Sequence, residues 1–259
     1  MILDEIAGKT KERIEEKKKL VSLREVKAQA LTMRTDRGFP FEKVLKKNGM
    51  SFICEVKKAS PSKGLIAETF PYLTIAKDYE EAGADAISCL TEPFYFQGSD
   101  QYLQEIASAV TIPVLRKDFT VDPYMIYEAK VLGASAILLI CAILSKEQLR
   151  DYYELADSLG LSVLIEAHTE QEVEQALCCG GRIIGVNNRD LKTFQVDITT
   201  SKRLRSLVPR EMIYVSESGI RGPQDIRELY GNGTDAVLIG ELLMRSTNKK
   251  ACLRELKGA

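Results

Sequence analysis

One pattern repeats along this chain and limits its fold more than any other feature. From about residue 50, a short apolar, β-branched run ends in polar residues, and a charged segment of helical period follows. The runs are "SFICEVK" at 51, "AISCLTE" at 86, "PVLRKDF" at 113, "AILLICA" at 136, "SVLIEAH" at 162, "IIGVNNR" at 183, "MIYVSES" at 212 and "AVLIG" at 236. Several follow a glycine turn, as in "EAGADAIS", "VLGASAIL" and "GNGTDAVLIG". That is how a helix C-cap hands the chain to a strand. Near-continuous apolar strands alternating with helices mean a parallel sheet buried on both faces. Eight such units predict a closed (β/α)₈ barrel rather than an open doubly wound sheet.

The chain is expected to form one barrel domain over residues 1–259. Residues 1–46 read as amphipathic helices that cap one end of it. The basic run Lys17-Lys18-Lys19 stands among glutamates and reads as a solvated helix face. A formal net charge of −1 gives no global field to attract nucleic acid or an anionic membrane, so a bound anion must be held locally. No stretch approaches the ~20 apolar residues that span a bilayer, and the charged N-terminus lacks the apolar core of a secretory signal. Six cysteines without CxxC spacing and a single histidine, His168, do not make a zinc or iron–sulfur site. Reduced, structural cysteines fit a cytoplasmic protein.

In such a barrel the active site forms at the C-terminal ends of the strands. The polar strand ends are Glu55 and Lys57, Glu92, Lys117, Glu166, Asn187 and Arg189, and Ser218. Side chains two apart on a strand share a face. Glu55 therefore faces with Lys57, Asn187 with Arg189, Lys117 with Leu115 and Phe119, and Glu166 with Leu164. Unpaired buried charges cost several kcal/mol each, so a fold keeps such a cluster only if its members pair or act. Asn188 and Asp190, of opposite parity, read as solvated rim residues.

"SESGIRGPQDI" puts Ser218-Gly219 between the seventh strand and a helix, and "LIGELLM" puts Gly240 at the start of a short helix after the eighth. Barrels often bind phosphate at these two loops, where a Cβ would hold an oxyanion off the backbone. The loop "ASPSKG" after the first strand reads either as a closing loop or as a plain turn. The aromatics of "EPFYFQGS" either line the mouth for a ring-shaped ligand or pack against the N-terminal helices.

Taken together, "EVKKASPSKG" at 55–64, "YFQGS" at 95–99, "PVLRKDFTVDPYMIYEA" at 113–129, "LIEAH" at 164–168, "GVNNRDL" at 185–191 and "SESGI" at 216–220 resemble the indole-3-glycerol phosphate synthase family of tryptophan biosynthesis. The resemblance covers nearly the whole chain, and it is the monofunctional form that it resembles. It implies conversion of 1-(2-carboxyphenylamino)-1-deoxyribulose 5-phosphate to indole-3-glycerol phosphate, carbon dioxide and water, with no cofactor and no metal. It implies catalytic roles for Lys117, Glu166, Lys57, Glu55, Asn187 and Ser218. Substrate binding falls to Ser60, Phe96, Phe119, Leu138, Arg189, Leu191, Gly219, Gly240 and Glu241. Phe96, Phe119 and Leu138 would form the apolar wall, and Ser60, Asn187 and Arg189 a cradle for the carboxylate. Glu241 stands where some relatives have a small hydroxyl residue, so only its backbone N–H is expected to face phosphate.

The only partner this implies is a phosphorylated small molecule, with no nucleic acid or membrane and the chain a monomer or weak homodimer. A phosphoribosylanthranilate isomerase-like enzyme and a non-catalytic metabolite-binding barrel are the alternatives. With Glu55 at its side, Lys57 is expected to hold its proton more firmly than Lys117.

Overall fold

All eight apolar runs are strands in the computed structural model, which describes residues 2–33, 38–190 and 193–258. They are β1 (Ser51–Val56), β2 (Ala86–Leu90), β3 (Val114–Lys117), β4 (Ala136–Ile140), β5 (Ser162–Ala167), β6 (Ile183–Asn187), β7 (Ile213–Glu217) and β8 (Ala236–Ile239). Each pairs in parallel with its sequence neighbours, and β1 closes the ring on β8 in the register Ser51 to Ala236 and Cys54 to Ile239. The helices between them include α4 (Tyr72–Glu81), α5 (Asp100–Ala109), α6 (Pro123–Val131), α7 (Lys146–Ser158), α8 (Glu170–Cys178), α9 (Thr199–Leu204) and α10 (Pro223–Gly231). Two more, α11 (Glu241–Arg245) and α12 (Lys249–Lys257), follow β8.

The period-2 alternation divides the core in two. Ile53, Leu115, Leu138, Leu164, Ile183, Val215 and Leu238 fill the barrel interior. Residues of the other parity, such as Cys54, Ile87, Ile137, Ile165, Tyr214 and Val237, pack outward against the helices. Outward therefore means buried, not wet. Asn188 corrects the expectation of a rim residue on that ground, being only 3 % exposed. Its Nδ2 donates to Ser216 Oγ and to the carbonyls of Glu217 and Ser218, each at 3.0 Å, and its Oδ1 accepts from Ser201 N–H at 2.9 Å. It ties the exit of β7 to α9.

The helices before β1 reach both ends of the barrel rather than the single end expected. They are α1 (Ile2–Leu20), α2 (Leu23–Thr32) and α3 (Pro40–Leu45). Phe41 and Leu45 of α3 join the interior apolar cluster near the strand entries, where Ser51 Oγ donates to Val44 O at 3.0 Å. Leu3 and Ile6 of α1 enter the same cluster from the opposite end, beside Phe119, Leu138 and Ile140. Farther along α1, Arg13 grips both oxygens of Asp118, at 2.8 and 3.0 Å. Lys17 pairs with Asp100 and Glu128, and Lys18 with Asp122 at 2.7 Å. Of the basic run, only Lys19 is a solvated face residue, paired with Glu16 on its own helix. The other two anchor α1 to α5, to α6 and to the cap of α6.

Candidate active site

The C-terminal ends of the strands enclose a cavity of about 490 Å³. Interior parity delivers Glu55 from β1 and Lys57 from just past its end, Lys117 from β3, Glu166 from β5, Asn187 from β6 and Glu217 from β7 to its floor. Lys117 Nζ donates to Glu166 Oε2 at 3.0 Å and stands 3.4 Å from Glu217 Oε2. Lys57 pairs with Glu55. Asn187 Nδ2 donates to Glu166 Oε1 at 3.2 Å, while its Oδ1 accepts from the N–H of Arg189 at 3.1 Å. Both ends of that amide are engaged, so Asn187 orients Glu166 in this structure.

Burial of this cluster sets its protonation. Burial alone would lower the Lys117 ammonium, but Glu166, Glu217 and Glu55 outweigh it and hold its pKa well above the ordinary lysine value. The same balance, with burial opposed by Lys117 and then His168, keeps the Glu166 carboxyl below its usual range. Glu217 goes the other way. Its burial exceeds what Lys117 returns, Glu166 and Glu55 add repulsion, and its pKa is pushed up to about 7. The sequence-based ordering of the two lysines rested on Glu55 beside Lys57, a pair the structure keeps, and left out the partners of Lys117. Glu55 is not a privilege of Lys57, because Lys117 faces three carboxylates brought by three other strands.

Glu217 is the residue that sequence reasoning missed. Its signal was present: it shares parity with Ile213 and Val215, both interior. Gly185 was a second sign, since a Cβ there would run into Glu217 Oε1 and come within 2.9 Å of Leu164 Cδ1. A glycine in mid-strand marks a close approach, here by a carboxylate. Glu92 is the converse case. Fully buried, it accepts the N–H groups of Phe94, Tyr95 and Phe96 at 2.9, 2.7 and 3.0 Å and braces its own loop rather than the mouth.

Phe96, Phe119 and Leu138 line one wall of the cavity together with Leu3, Ile6 and Ile140, and the rings of Phe96 and Phe119 lie 6.1 Å apart. Only Phe96 of the three loop aromatics faces the cavity. Tyr95 donates to Glu5 on α1 at 2.6 Å, and Lys9 stands over the Phe94 and Tyr95 rings, so these two belong to the helix contact.

The opposite rim holds Ser60, Lys63, Arg189, Ser218, Gly219, Arg221, Gly240, Glu241 and Arg245. Ala59–Ser60 pairs with Gly64–Leu65, so the loop after β1 is a short antiparallel hairpin, not a plain turn. Ser218 and Gly219 take successive left-handed conformations, φ 65 and 88, which reverse the chain sharply after β7. A side chain at Gly219 would also meet Val196 Cγ1 at 2.8 Å. The Glu241 carboxylate lies 3.1 Å from Arg245 and 3.4 Å from Lys63. Leu191 lies outside the described residues.

Gly240 has a reason beyond leaving room for an anion. A Cβ there would strike Glu55 Oε1 and come within 2.9 Å of Lys57 Nζ. Both are side-chain ends, so the fold can absorb the change and the ion pair must move. Gly240→Ala is expected to lower kcat/KM about 10²-fold, the scale of a 1 Å misplacement, with little change in Tm. Steady-state kinetics beside a thermal melt checks it.

The family model for indole-3-glycerol phosphate synthase matches residues 3–256. The chain belongs to the indole-3-glycerol phosphate synthase family. An enzyme of that name from Ruminiclostridium cellulolyticum is 59% identical over 259 residues, all of both chains. One from Endomicrobium trichonymphae is 55% identical, over 99% of this chain and 100% of its own. Among solved structures, a mutant tryptophan synthase α-subunit from Pyrococcus furiosus aligns with TM-score 0.62 at 16% identity, over 81% of this chain and 98% of its own, a likeness of fold alone. The chain is accordingly a carboxy-lyase of tryptophan biosynthesis, forming indole-3-glycerol phosphate with loss of carbon dioxide and water. The readings as an isomerase and as a non-catalytic barrel fall with this membership.

Proposed function

We propose that ring closure in this enzyme is driven by Lys117 as general acid, with Glu166 as the counter-charge for the reacting ring. The observation that carries the proposal is the Lys117 ammonium between Glu166 and Glu217 on the floor of a cavity with one apolar wall and one cationic, glycine-bearing rim. Phe96, Phe119 and Leu138 hold the aromatic ring. Ser60 and Arg189 take the carboxylate, and the loops at Ser218-Gly219 and Gly240-Glu241 take the phosphate. When the aryl carbon bonds to the ketone carbon, charge builds on the ketone oxygen, and Lys117 protonates it. A raised ammonium is fully loaded at neutral pH, and an alkoxide is a stronger base than the amine left behind. Positive charge grows on the ring and its nitrogen, where the Glu166 carboxylate stabilises it until carbon dioxide leaves. Lys57, with Glu55, serves as acid and base for the dehydration.

Glu217 fits a third role, as the proton source that reloads Lys117. A carboxyl at about 7 is half protonated at neutral pH, and its oxygen is 3.4 Å from the amine. Its acid form is the useful one once Lys117 has spent its proton, so kcat is expected to decline as pH rises through about 7. Glu217→Gln should flatten that limb and reduce kcat about 10-fold. The fluorescence of the indole product, followed from pH 5.5 to 9, measures both. A wild-type limb that survives in the variant would remove Glu217 from the relay.

The same reading takes residues 1–259 as one barrel domain with an N-terminal extension at 1–46, acting as a monomer or weak homodimer of the cytoplasm without nucleic-acid or membrane partners. Support comes from the apolar cluster that α1 and α3 share with the strands, from a net charge of −1, and from free cysteines at 54, 89 and 141.

A further inference from the structure

The floor of the cavity loses its charge balance during the reaction. While Glu217 is protonated, the Glu55 and Glu166 carboxylates face two ammonium groups, Lys57 and Lys117, and a carboxylate is left over once Glu217 or Lys117 gives up its proton. A third basic side chain is within reach. His168, the one histidine of the chain, follows Glu166 by two residues at the exit of β5 and is largely buried. Its Nε2 stands 3.4 Å from Glu166 Oε1, the oxygen that also accepts from Asn187. Its Nδ1 stands 3.4 Å from Glu172 Oε2. Among the described residues neither ring nitrogen has a hydrogen-bond partner of ordinary geometry, and each stands at ion-pair distance from a carboxylate.

Glu172 is itself fixed. Its Oε2 accepts the backbone N–H of His168 at 2.6 Å, and its own N–H donates to the α8 cap Thr169 at 3.2 Å. The charged or titratable groups around the ring are Glu166 on its own strand, Glu172 on α8, Glu217 on β7 and the Cys141 thiol after β4, whose Sγ reaches Glu172 O. Lys117 lies beyond Glu166.

We propose that His168 is a positioning residue whose imidazolium, clamped between Glu172 and Glu166, balances the cluster and keeps Glu166 anionic while Lys117 gives up its proton. Once that proton leaves, the neutral amine no longer supports the Glu166 charge. The imidazolium on the other oxygen is then its remaining cation, at the moment the reacting ring needs a full carboxylate opposite it. Electrostatics at the ring agree: burial would lower the imidazole, but Glu172 and Glu166 overcome it and raise it above its ordinary value.

The inference rests on the role given to Glu166 above, and the two can be tested apart. Because the chain has one histidine, its imidazole resonances titrate without an assignment problem. In the wild type the NMR pKa is expected above the usual ~6.5, and Glu172→Gln and Glu166→Gln should each lower it by about 1 unit. In turnover, His168→Asn is expected to move the acidic limb of kcat/KM up by about 1 unit and to cut kcat about 10-fold at pH 7 with KM little changed. Glu172→Gln, which leaves the ring in place, should move the limb the same way by less, and it decides the matter if His168→Asn fails to fold. A wild-type imidazole titrating at or below ~6.5, or variant pH profiles that superimpose on the wild type, would overturn the proposal. If Glu166→Gln lowers the histidine pKa yet leaves kcat intact, the clamp stands and the role given to Glu166 is what fails.

Discussion

Lys117→Met is expected to lower kcat/KM about 10³- to 10⁴-fold, the upper part of a general acid's contribution, with KM within about 10-fold of wild type. Methionine keeps the length and the apolar stem and removes only the ammonium. The apolar wall and the cationic rim remain, so substrate still binds while the ketone oxygen loses its proton donor. The loss corresponds to roughly 4–5.5 kcal/mol of transition-state stabilisation. Glu166 and Glu217 would then share a buried site without the cation between them; Glu166 would rise above its ordinary value and Glu217, already raised, would rise further. A carboxyl raised in the folded state lends stability at acid pH and withdraws it as pH rises through the raised value. The variant should therefore melt lower at pH 8 than at pH 6 relative to wild type. Product fluorescence, equilibrium substrate binding and melts at the two pH values test the three parts. Turnover near the wild-type level would remove Lys117 from the role of acid.

Glu166→Gln is expected to cost about 10²- to 10³-fold in kcat, again with a small effect on KM. The carboxylate uses both oxygens: Oε2 accepts from Lys117 at 3.0 Å, and Oε1 accepts from Asn187 at 3.2 Å. An amide has one acceptor, so its NH₂ must face either Lys117 or the Asn187 NH₂, donor against donor. The loss therefore has two sources, the vanished negative charge and a misdirected Lys117. Single-turnover measurements isolate the ring-closure step. Glu166→Asp, which keeps the charge but shortens the reach, should recover part of the rate if charge dominates and none if position does.

The strands were legible because a parallel strand buried on both faces must be an apolar run, and each run here ends where its polar residues begin. Parity then gave most of the cavity floor: Lys117 and Glu166 follow from Leu115 and Leu164 without any coordinates. What parity does not carry is which strand ends stand side by side. The Lys117 environment depends on Glu217 and Glu55, which come from other parts of the ring, and no reading of β3 alone includes them. Glu217 itself was hidden by its neighbours, since Ser218 and Gly219 drew the eye as a phosphate loop. Asn188 was misread because outward on a barrel strand means toward a helix. Leu3 and Ile6 gave no local sign of entering the cavity, because the path of α1 is set by Arg13, Lys17 and Lys18 gripping partners about a hundred residues later in the chain.

The pairing of β1 with β8 carries a consequence for the order in which the molecule is made. Among the eight strands the ribosome delivers β1 first and β8 last. At ordinary rates of elongation the first strand waits roughly 10–40 s for the partner that seals the ring. Throughout that wait one edge of β1 has no neighbour, and Glu55 and Lys57 lack the Gly240 surface on which they come to rest. A nascent chain can therefore build most of its sheet and still possess no working pocket. Activity should switch on only when the final βα unit has emerged, and chains stalled before it should present an open, sticky edge to whatever chaperone is near.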